Sequence, residues 1–600
     1  MKTRSDIARE ASSTGIAIEV FGLRVDLASS GIPVVDEVDF SLLPGQILGL
    51  VGESGSGKTT VGMALLGHCR SGLRIAGGSV RIADKEILAL SERELRAVRG
   101  DLITYVPQDP GTALNPALRI GTQLSECLGG SEDRATQLLH LLSEVKLPPT
   151  SDFLQAFPYQ MSGGQQQRVV IAMAFASRPK VIVMDEPTTG LDVTTQAHVL
   201  DTIRQLCAKH GVAAIYVSHD LAVVASLANR VAVMYSGRIV EIGPTATVLG
   251  MPSHPYTRAL IGAVPTFEGP THLRGIPGQA PAPNRRPAGC VFLARCPQAI
   301  DNCREAPPAP SIVAPGHLVR CIRNNEDTVA LGAVADRDTA PQQIGATLLQ
   351  IVNLRAFHGD TKILKGIDLV VPRRCCLALV GESGSGKTTL ARCIAGLHLQ
   401  LEGVMRFGDQ ALAAGSRSRS AAIRRQIQYV FQNPYASLNP RRSIGDSIAA
   451  PLREFEPLTR TELRQRVASA LDQVALPAAA ADQYPHHLSG GQRQRAAIAR
   501  ALIVDPTLLV CDEVTSALDV SVQAVIVELL DKLQRERGLS ILFVTHNLAL
   551  VRSIAQQVAV MQNGRIVEYG SVGQVLLQPL AAETNRLMQD TPRFHASRTQ

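Results

Sequence analysis

The string VGESGSGKTT occurs at Val51–Thr60 and again, letter for letter, at Val380–Thr389. Both copies fit G-x-x-x-x-G-K-[ST], the pattern of a loop that wraps phosphates. Glycines at Gly52, Gly55, Gly57 and at Gly381, Gly384, Gly386 let the backbone curl tightly. Successive N–H groups, with those of Ser54, Ser56, Ser383 and Ser385, then face an anion. Lys58 and Lys387 are placed to neutralise β- and γ-phosphates, and the hydroxyls of Thr59 and Thr388 to hold Mg²⁺. Thr60 and Thr389 belong to the same binding loops.

Two further motifs follow each loop at matching distances. Asp185-Glu186 and Asp512-Glu513 end apolar runs. An aspartate there suits Mg²⁺, and the glutamate beside it suits a general base that polarises water. Alone, such a pair would read as an exposed acidic strand end; after a phosphate loop in both repeats it reads as catalysis. Ser162–Gln165 and Ser489–Gln492 both spell SGGQ. Small residues allow close backbone approach, and a helix N-terminus suits an anion, so each is a second anion cradle. Because each domain already has one, Ser162, Gly163, Gly164 and Gln165, like Ser489, Gly490, Gly491 and Gln492, are expected to cap the nucleotide of the other domain.

The whole chain repeats. MDEP at Met184 is answered by CDEV at Cys511, VSHD at Val217 by VTHN at Val544, and the offset stays near 327 residues. Apolar runs at Gln46–Val51, Val181–Met184 and Ala213–Val217, matched by Cys376–Val380, Leu508–Cys511 and Ile541–Val544, read as buried strands. Ala-rich Arg168–Ala176 and Arg495–Leu502 read as helices. The expected fold is α/β: two tandem domains with a mainly parallel sheet and a helical part, their sites at the carboxyl ends of the strands. Expected divisions are 16–250 and 346–573 for the ATP-binding domains. A Pro- and Cys-rich extension spans 251–325, a polar linker 326–345 and a tail 574–600.

At this point the residues resemble two ATP-binding domains of the ABC transporter family, fused in tandem, over nearly the whole chain. The resemblance implies head-to-tail pairing: Lys58, Asp185, Glu186 and His219 with Ser489–Gly491, and Lys387, Asp512, Glu513 and His546 with Ser162–Gly164. It makes His219 and His546 sensors of the γ-phosphate, and Gln108 and Gln432 contacts to Mg²⁺, to water and to the membrane partner. Asp192 and Asp519 fall at the dimer seam. Mg²⁺ would thus be held through Thr59, Gln108 and Asp185, and through Thr388, Gln432 and Asp512. The adenine-stacking aromatic has no match in the first copy, where Leu27 stands, and Phe357 or His358 in the second.

Two stretches narrow the resemblance to oligopeptide/dipeptide-permease ATPases. The first is QDPGTALNPALRIG after Pro107, echoed by QNPYASLNPRRSIG after Phe431; the second is HPYTRAL followed by IPGQAPAPNRRPAGCVFLARC. The implied activity is ATP hydrolysis coupled to peptide uptake through two separate multi-span permease subunits, fed indirectly by an extracytoplasmic solute-binding protein. The chain would sit on the cytoplasmic face of the membrane. Nickel or glutathione is the alternative cargo, and a soluble ribosome-acting tandem ATPase the more distant alternative. Cys290, Cys296, Cys303 and Cys321 cluster in the extension; the resemblance implies a [4Fe–4S] cluster there, with zinc or four reduced thiols as the other readings.

Composition fits this picture. The 600 residues exceed one core, and a net charge of +7 over 60 basic and 53 acidic residues, without a basic run, gives no footprint for nucleic acid. No run of 18 apolar residues and no secretory signal is evident, so the 11 cysteines read as thiols or ligands.

Overall fold

The computed structural model describes residues 15–128, 133–267, 273–323, 345–516 and 518–592. The expected linker, but for Gly345, and the end of the expected tail lie outside the described residues.

Each half is built on a core sheet whose strands are short, apolar and buried on both faces, as parallel strands covered by helices must be. In the first half the central strands Ile47–Val51, Ala213–Val217 and Val181–Asp185 are buried at every position. They pair in parallel, with Ile103–Val106 beyond Val181–Asp185 and Arg230–Tyr235 on the other side of Ile47–Val51. The second half repeats this with Cys376–Gly381, Ser540–Val544, Leu508–Asp512, Ile427–Val430 and Gln557–Gln562. Strand Ile47–Val51 is inserted between Ala213–Val217 and Arg230–Tyr235, and Cys376–Gly381 between Ser540–Val544 and Gln557–Gln562. In each parallel set the loops carrying the motifs thus emerge from the same ends of neighbouring strands. A separate four-stranded antiparallel sheet accompanies each core.

The halves differ at the edge. Among the described residues the first core sheet has eight strands and the second six. The two extra strands, Ser311–Ala314 and His317–Val319, come from the extension, and His317–Val319 pairs with Arg238–Pro244. An edge that would otherwise present unpaired backbone is thereby covered.

Elements also cross between halves. Helix Ala582–Asp590 belongs to the second half, yet Asp590 Oδ2 accepts a hydrogen bond of 2.8 Å from Thr194 Oγ1 on helix Val193–His210 of the first. In the opposite direction, Gly275 of the extension presses on helix Val520–Arg537. A Cβ at Gly275 would lie 2.3 Å from Val525 Cγ2. Phe267 packs against a core cluster of the second half that includes Val558 and Leu587.

Candidate functional site

Both phosphate loops leave a buried strand through a glycine that no other residue could replace. Gly52 has φ +149°, and a Cβ there would sit 2.1 Å from Met234 O; at Gly381, φ +148°, it would sit 2.2 Å from Met561 O. The loop then closes around its lysine. Lys58 Nζ donates to Gly52 O at 2.7 Å and Glu53 O at 3.0 Å. Lys387 Nζ donates to Gly381 O at 2.8 Å and Glu382 O at 2.7 Å. Burial lowers the proton affinity of both lysines, opposed by nearby carboxylates, chiefly Glu186 for Lys58 and Glu513 for Lys387. Ser56 Oγ is buried without a partner among the described residues, as a group waiting on a phosphate oxygen would be. Ser54, Gly55, Ser383 and Gly384 form the exposed crest, and Thr60 and Thr389 are half-buried on the following turn.

Behind each loop lies the expected Mg²⁺ pair. Thr59 Oγ1 donates to Asp185 Oδ1 at 3.1 Å, and Thr388 Oγ1 to Asp512 Oδ1 at 3.2 Å. The other carboxylate oxygen is held by a residue the motifs did not point to. Tyr105 Oη donates to Asp185 Oδ2 at 2.9 Å, and Tyr429 Oη to Asp512 Oδ2 at 2.5 Å. Burial raises both aspartates, and these tyrosine and threonine bonds pull back toward the charged form. The signal available in sequence was position alone: each tyrosine lies three residues before Gln108 or Gln432.

The two glutamates are clasped alike. Glu186 Oε2 accepts from Gln108 Nε2 and from Thr189 Oγ1, both at 3.2 Å, while Oε1 is 3.0 Å from His219 Nδ1. Glu513 Oε2 accepts from Gln432 Nε2 at 2.6 Å, and Oε1 is 3.6 Å from His546 Nδ1. Burial alone would raise Glu186, but the His219 bond and the charges of His219 and Lys58 bring it below the usual carboxylate value. For Glu513 the His546 bond leads, and the direction is the same. Both glutamates have left-handed backbone, φ +48° and +47°, conformations a side chain adopts at a cost of about 1–3 kcal/mol. Their N–H groups donate to Val217 O and Val544 O at 3.0 Å, which pins the strained turn. An ionised carboxylate at the end of a buried strand, beside a metal-type aspartate, can accept a proton from water.

The seam between halves is built by the two Asp turns. Asp519 Oδ2 accepts from Ser54 N–H at 3.3 Å, so a carboxylate of the second half touches the first phosphate loop. Asp192 caps Val193–His210 and its charge reaches Lys387. With Lys387, Thr388, Gln432, Glu513 and His546 it lines a cavity of about 770 Å³. Ile363, rather than Phe357 or His358, lines that cavity.

The signatures do not take the expected places there. Gly490 of the same half lines this cavity, whereas Ser162–Gln165 of the other half do not. Each signature is instead closed on its own helix by reciprocal bonds. Ser162 N–H donates to Gln165 Oε1 at 2.9 Å and Gln165 N–H to Ser162 Oγ at 3.3 Å, with 2.8 and 3.3 Å for Ser489 and Gln492. Ser162, Gly163 and Ser489 are exposed. The second glycine of each is forced by packing, since a Cβ at Gly164 would lie 2.3 Å from Thr195 Cγ2 and at Gly491 2.4 Å from Val522 Cγ1.

In the extension, Cys290, Cys296, Cys303 and Cys321 line one small cavity with His254 and Phe292. All four are free thiols. Burial pushes Cys290 up to about 11 and raises Cys296 and Cys321. Among the described residues, no three His, Cys, Asp or Glu side chains are gathered so as to hold a metal ion.

Comparisons with known proteins agree with this architecture. The family model described as ABC transporter matches residues 35–189 and again 364–516. That described as the C-terminal region of oligopeptide/dipeptide transporters matches 240–303. The oligopeptide transport ATP-binding protein OppD of Mycobacterium tuberculosis is 38% identical over 603 residues, covering 96% of this chain and 98% of that one. The glutathione import ATP-binding protein GsiA of Escherichia coli is 37% identical over 600 residues, covering 97% and 90%. Two phosphate loops, two Asp-Glu strand ends and two signatures, matched at full length, place this chain in the ABC transporter family as an ATPase with both ATP-binding cassettes in one polypeptide.

Proposed function

We propose that the chain is the ATP-hydrolysing motor of an importer for oligopeptides or dipeptides. The observation that carries this reading is the match of residues 240–303 to the oligopeptide/dipeptide-transporter region, in a chain aligned end to end with an oligopeptide transport ATP-binding protein. Among the described residues no helix is long and apolar enough to cross a membrane. The membrane path therefore belongs to permease partners, two multi-span subunits, with a solute-binding protein delivering cargo to them. The chain associates peripherally. Glutathione, itself a tripeptide, is the second reading, supported by the equally extensive match to a glutathione import ATP-binding protein. The test is ATPase activity of the chain assembled with its permease and binding protein. Stimulation by short peptides, graded with length, supports the first reading, and stimulation by glutathione alone supports the second.

Within each cassette, the reading assigns the phosphates to the loop and its lysine, Mg²⁺ to Thr59 and Asp185 or Thr388 and Asp512, and water activation to Glu186 or Glu513. Bound Mg²⁺ neutralises phosphate charge. Gln108 and Gln432 hold the glutamates until the metal and water arrive, and Ser162–Gln165 and Ser489–Gln492 close across onto the nucleotide of the other cassette.

The four cysteines of the extension are assigned to a [4Fe–4S] cluster with a bracing role. What supports the assignment is that all four thiols line one cavity; zinc is the other metal that four thiolates would take.

A further inference from the structure

Arg295 stands immediately before Cys296, yet its guanidinium is buried in the first phosphate loop. Nη1 donates to Glu53 Oε2 at 2.7 Å and Nη2 to Glu53 Oε1 at 2.9 Å, a two-pronged pair in which the side chains are only 5% and 9% exposed. The rest of the guanidinium is fully occupied. Nε donates to Pro277 O at 2.8 Å, Nη2 to Ile276 O at 3.0 Å and Nη1 to Tyr235 Oη at 3.2 Å. Such a planar fork fixes orientation as well as charge.

Glu53 is the second residue of the phosphate loop, and its other contacts lead elsewhere in the molecule. Its N–H donates to Tyr256 Oη at 3.0 Å. Its Oε1 is 2.8 Å from the hydroxyl of Ser521, which belongs to the second cassette and is also 2.7 Å from Asp519 Oδ1. Asp519 in turn accepts from Ser54 N–H, the next residue of the loop. Extension, first phosphate loop and second-cassette seam thus meet on one carboxylate.

Among the described residues, the second cassette shows no such arrangement. Glu382, at the same place in an identical loop, meets Arg586 at 3.8 Å, and that arginine is more than half exposed. An exposed pair at that distance constrains little, whereas a buried one cannot lose a partner without leaving a bare charge.

We propose that Arg295 is a positioning residue for the first ATP site. It holds Glu53 so that the loop keeps its seat against Asp519 and Ser521, and it makes MgATP binding at the first site depend on the folded extension, while the second site is independent of it. This inference rests on the two loops being the ATP sites.

The test measures binding of a fluorescent ATP analogue with Mg²⁺ to the full-length chain. A Lys387→Ala background reports the first site and a Lys58→Ala background the second. Arg295→Met should weaken the first site roughly tenfold and leave the second within about twofold, and Arg295→Lys should restore part of the loss. Ser521→Ala leaves the extension intact and keeps the test decisive where Arg295→Met does not fold. It should weaken the first site about threefold, and the two losses should not add, since both act on one carboxylate. Equal weakening at both sites, an unchanged first site, or strictly additive losses would overturn the proposal. Undiminished binding in a Lys58→Ala, Lys387→Ala double variant would instead sink the assignment of the loops themselves.

Discussion

His219 Nδ1 lies 3.0 Å from Glu186 Oε1, while the matching His546 and Glu513 stand 3.6 Å apart. At the first site burial would depress the histidine, but the bond and charge of Glu186 outweigh it and its pKa is raised. A raised histidine contributes stability that is complete below its unfolded value, about 6.5, and is lost as pH climbs through the folded one. Comparing melting temperatures of the wild type and His219→Gln should therefore show the largest gap below about pH 6.5, shrinking as pH rises. Glu186 works oppositely: its lowered pKa contributes above the usual carboxylate range and fails in acid. A gap that widens toward alkaline pH would contradict the pairing.

Both glutamates should be bases. Glu186→Gln and Glu513→Gln should each keep ATP binding and slow hydrolysis at their own site by roughly 10²–10⁴-fold, read in single turnover on the assembled complex. One substitution leaving rate and stoichiometry untouched would remove that site from the hydrolytic cycle.

The tyrosines are a separate matter, because they touch the metal carboxylates and not the base. Tyr105→Phe and Tyr429→Phe remove a hydrogen bond to a charged acceptor, typically about 1.5–3 kcal/mol. We expect the Mg²⁺ concentration for half-maximal ATPase to rise about tenfold or more, with little change at saturating Mg²⁺. A lower plateau with an unshifted midpoint would mean the tyrosines serve something else.

Closure of the signatures is testable by thiol pairs. Cysteines at Ser56 with Gly490, and at Ser385 with Gly163, should crosslink more readily when Mg-ATP is added. Crosslinking of Ser56 with Gly163, inside one cassette, would falsify the head-to-tail arrangement.

For the extension, anaerobic purification should give brown protein with about four irons and four sulfides per chain. Cys296→Ser should abolish the colour and make the extension protease-sensitive while the phosphate loops still bind nucleotide. One zinc per colourless chain would move the assignment to zinc, and metal-free protein with an equally resistant extension would end both.

The core of this fold was legible because its signals are local. Runs such as Val181–Met184 are apolar at every position and end at a charge, and the observed strand Val181–Asp185 extends the run by one residue. The signature helix begins at Gly163 rather than near Arg168, because Ser162 and Gln165 cap it ahead of its Ala-rich face. What escaped notice depends on distant pairing. Arg295 and Glu53 are 242 residues apart, and nothing near either announces the other. Strands Ser311–Ala314 and His317–Val319 are only four and three residues long and gain their meaning from an edge formed elsewhere. Tyr105 reads as an ordinary aromatic in a strand until Asp185 is seen opposite it.

The contacts between halves also impose a timetable on synthesis. Ser521 is 468 residues beyond Glu53, so at ribosomal rates the first cassette waits on the order of tens of seconds for that hydroxyl. Arg295 emerges well before it, in the same half. A nascent first cassette can thus shelter the carboxylate of its phosphate loop from its own chain, and needs no second cassette until one has been made.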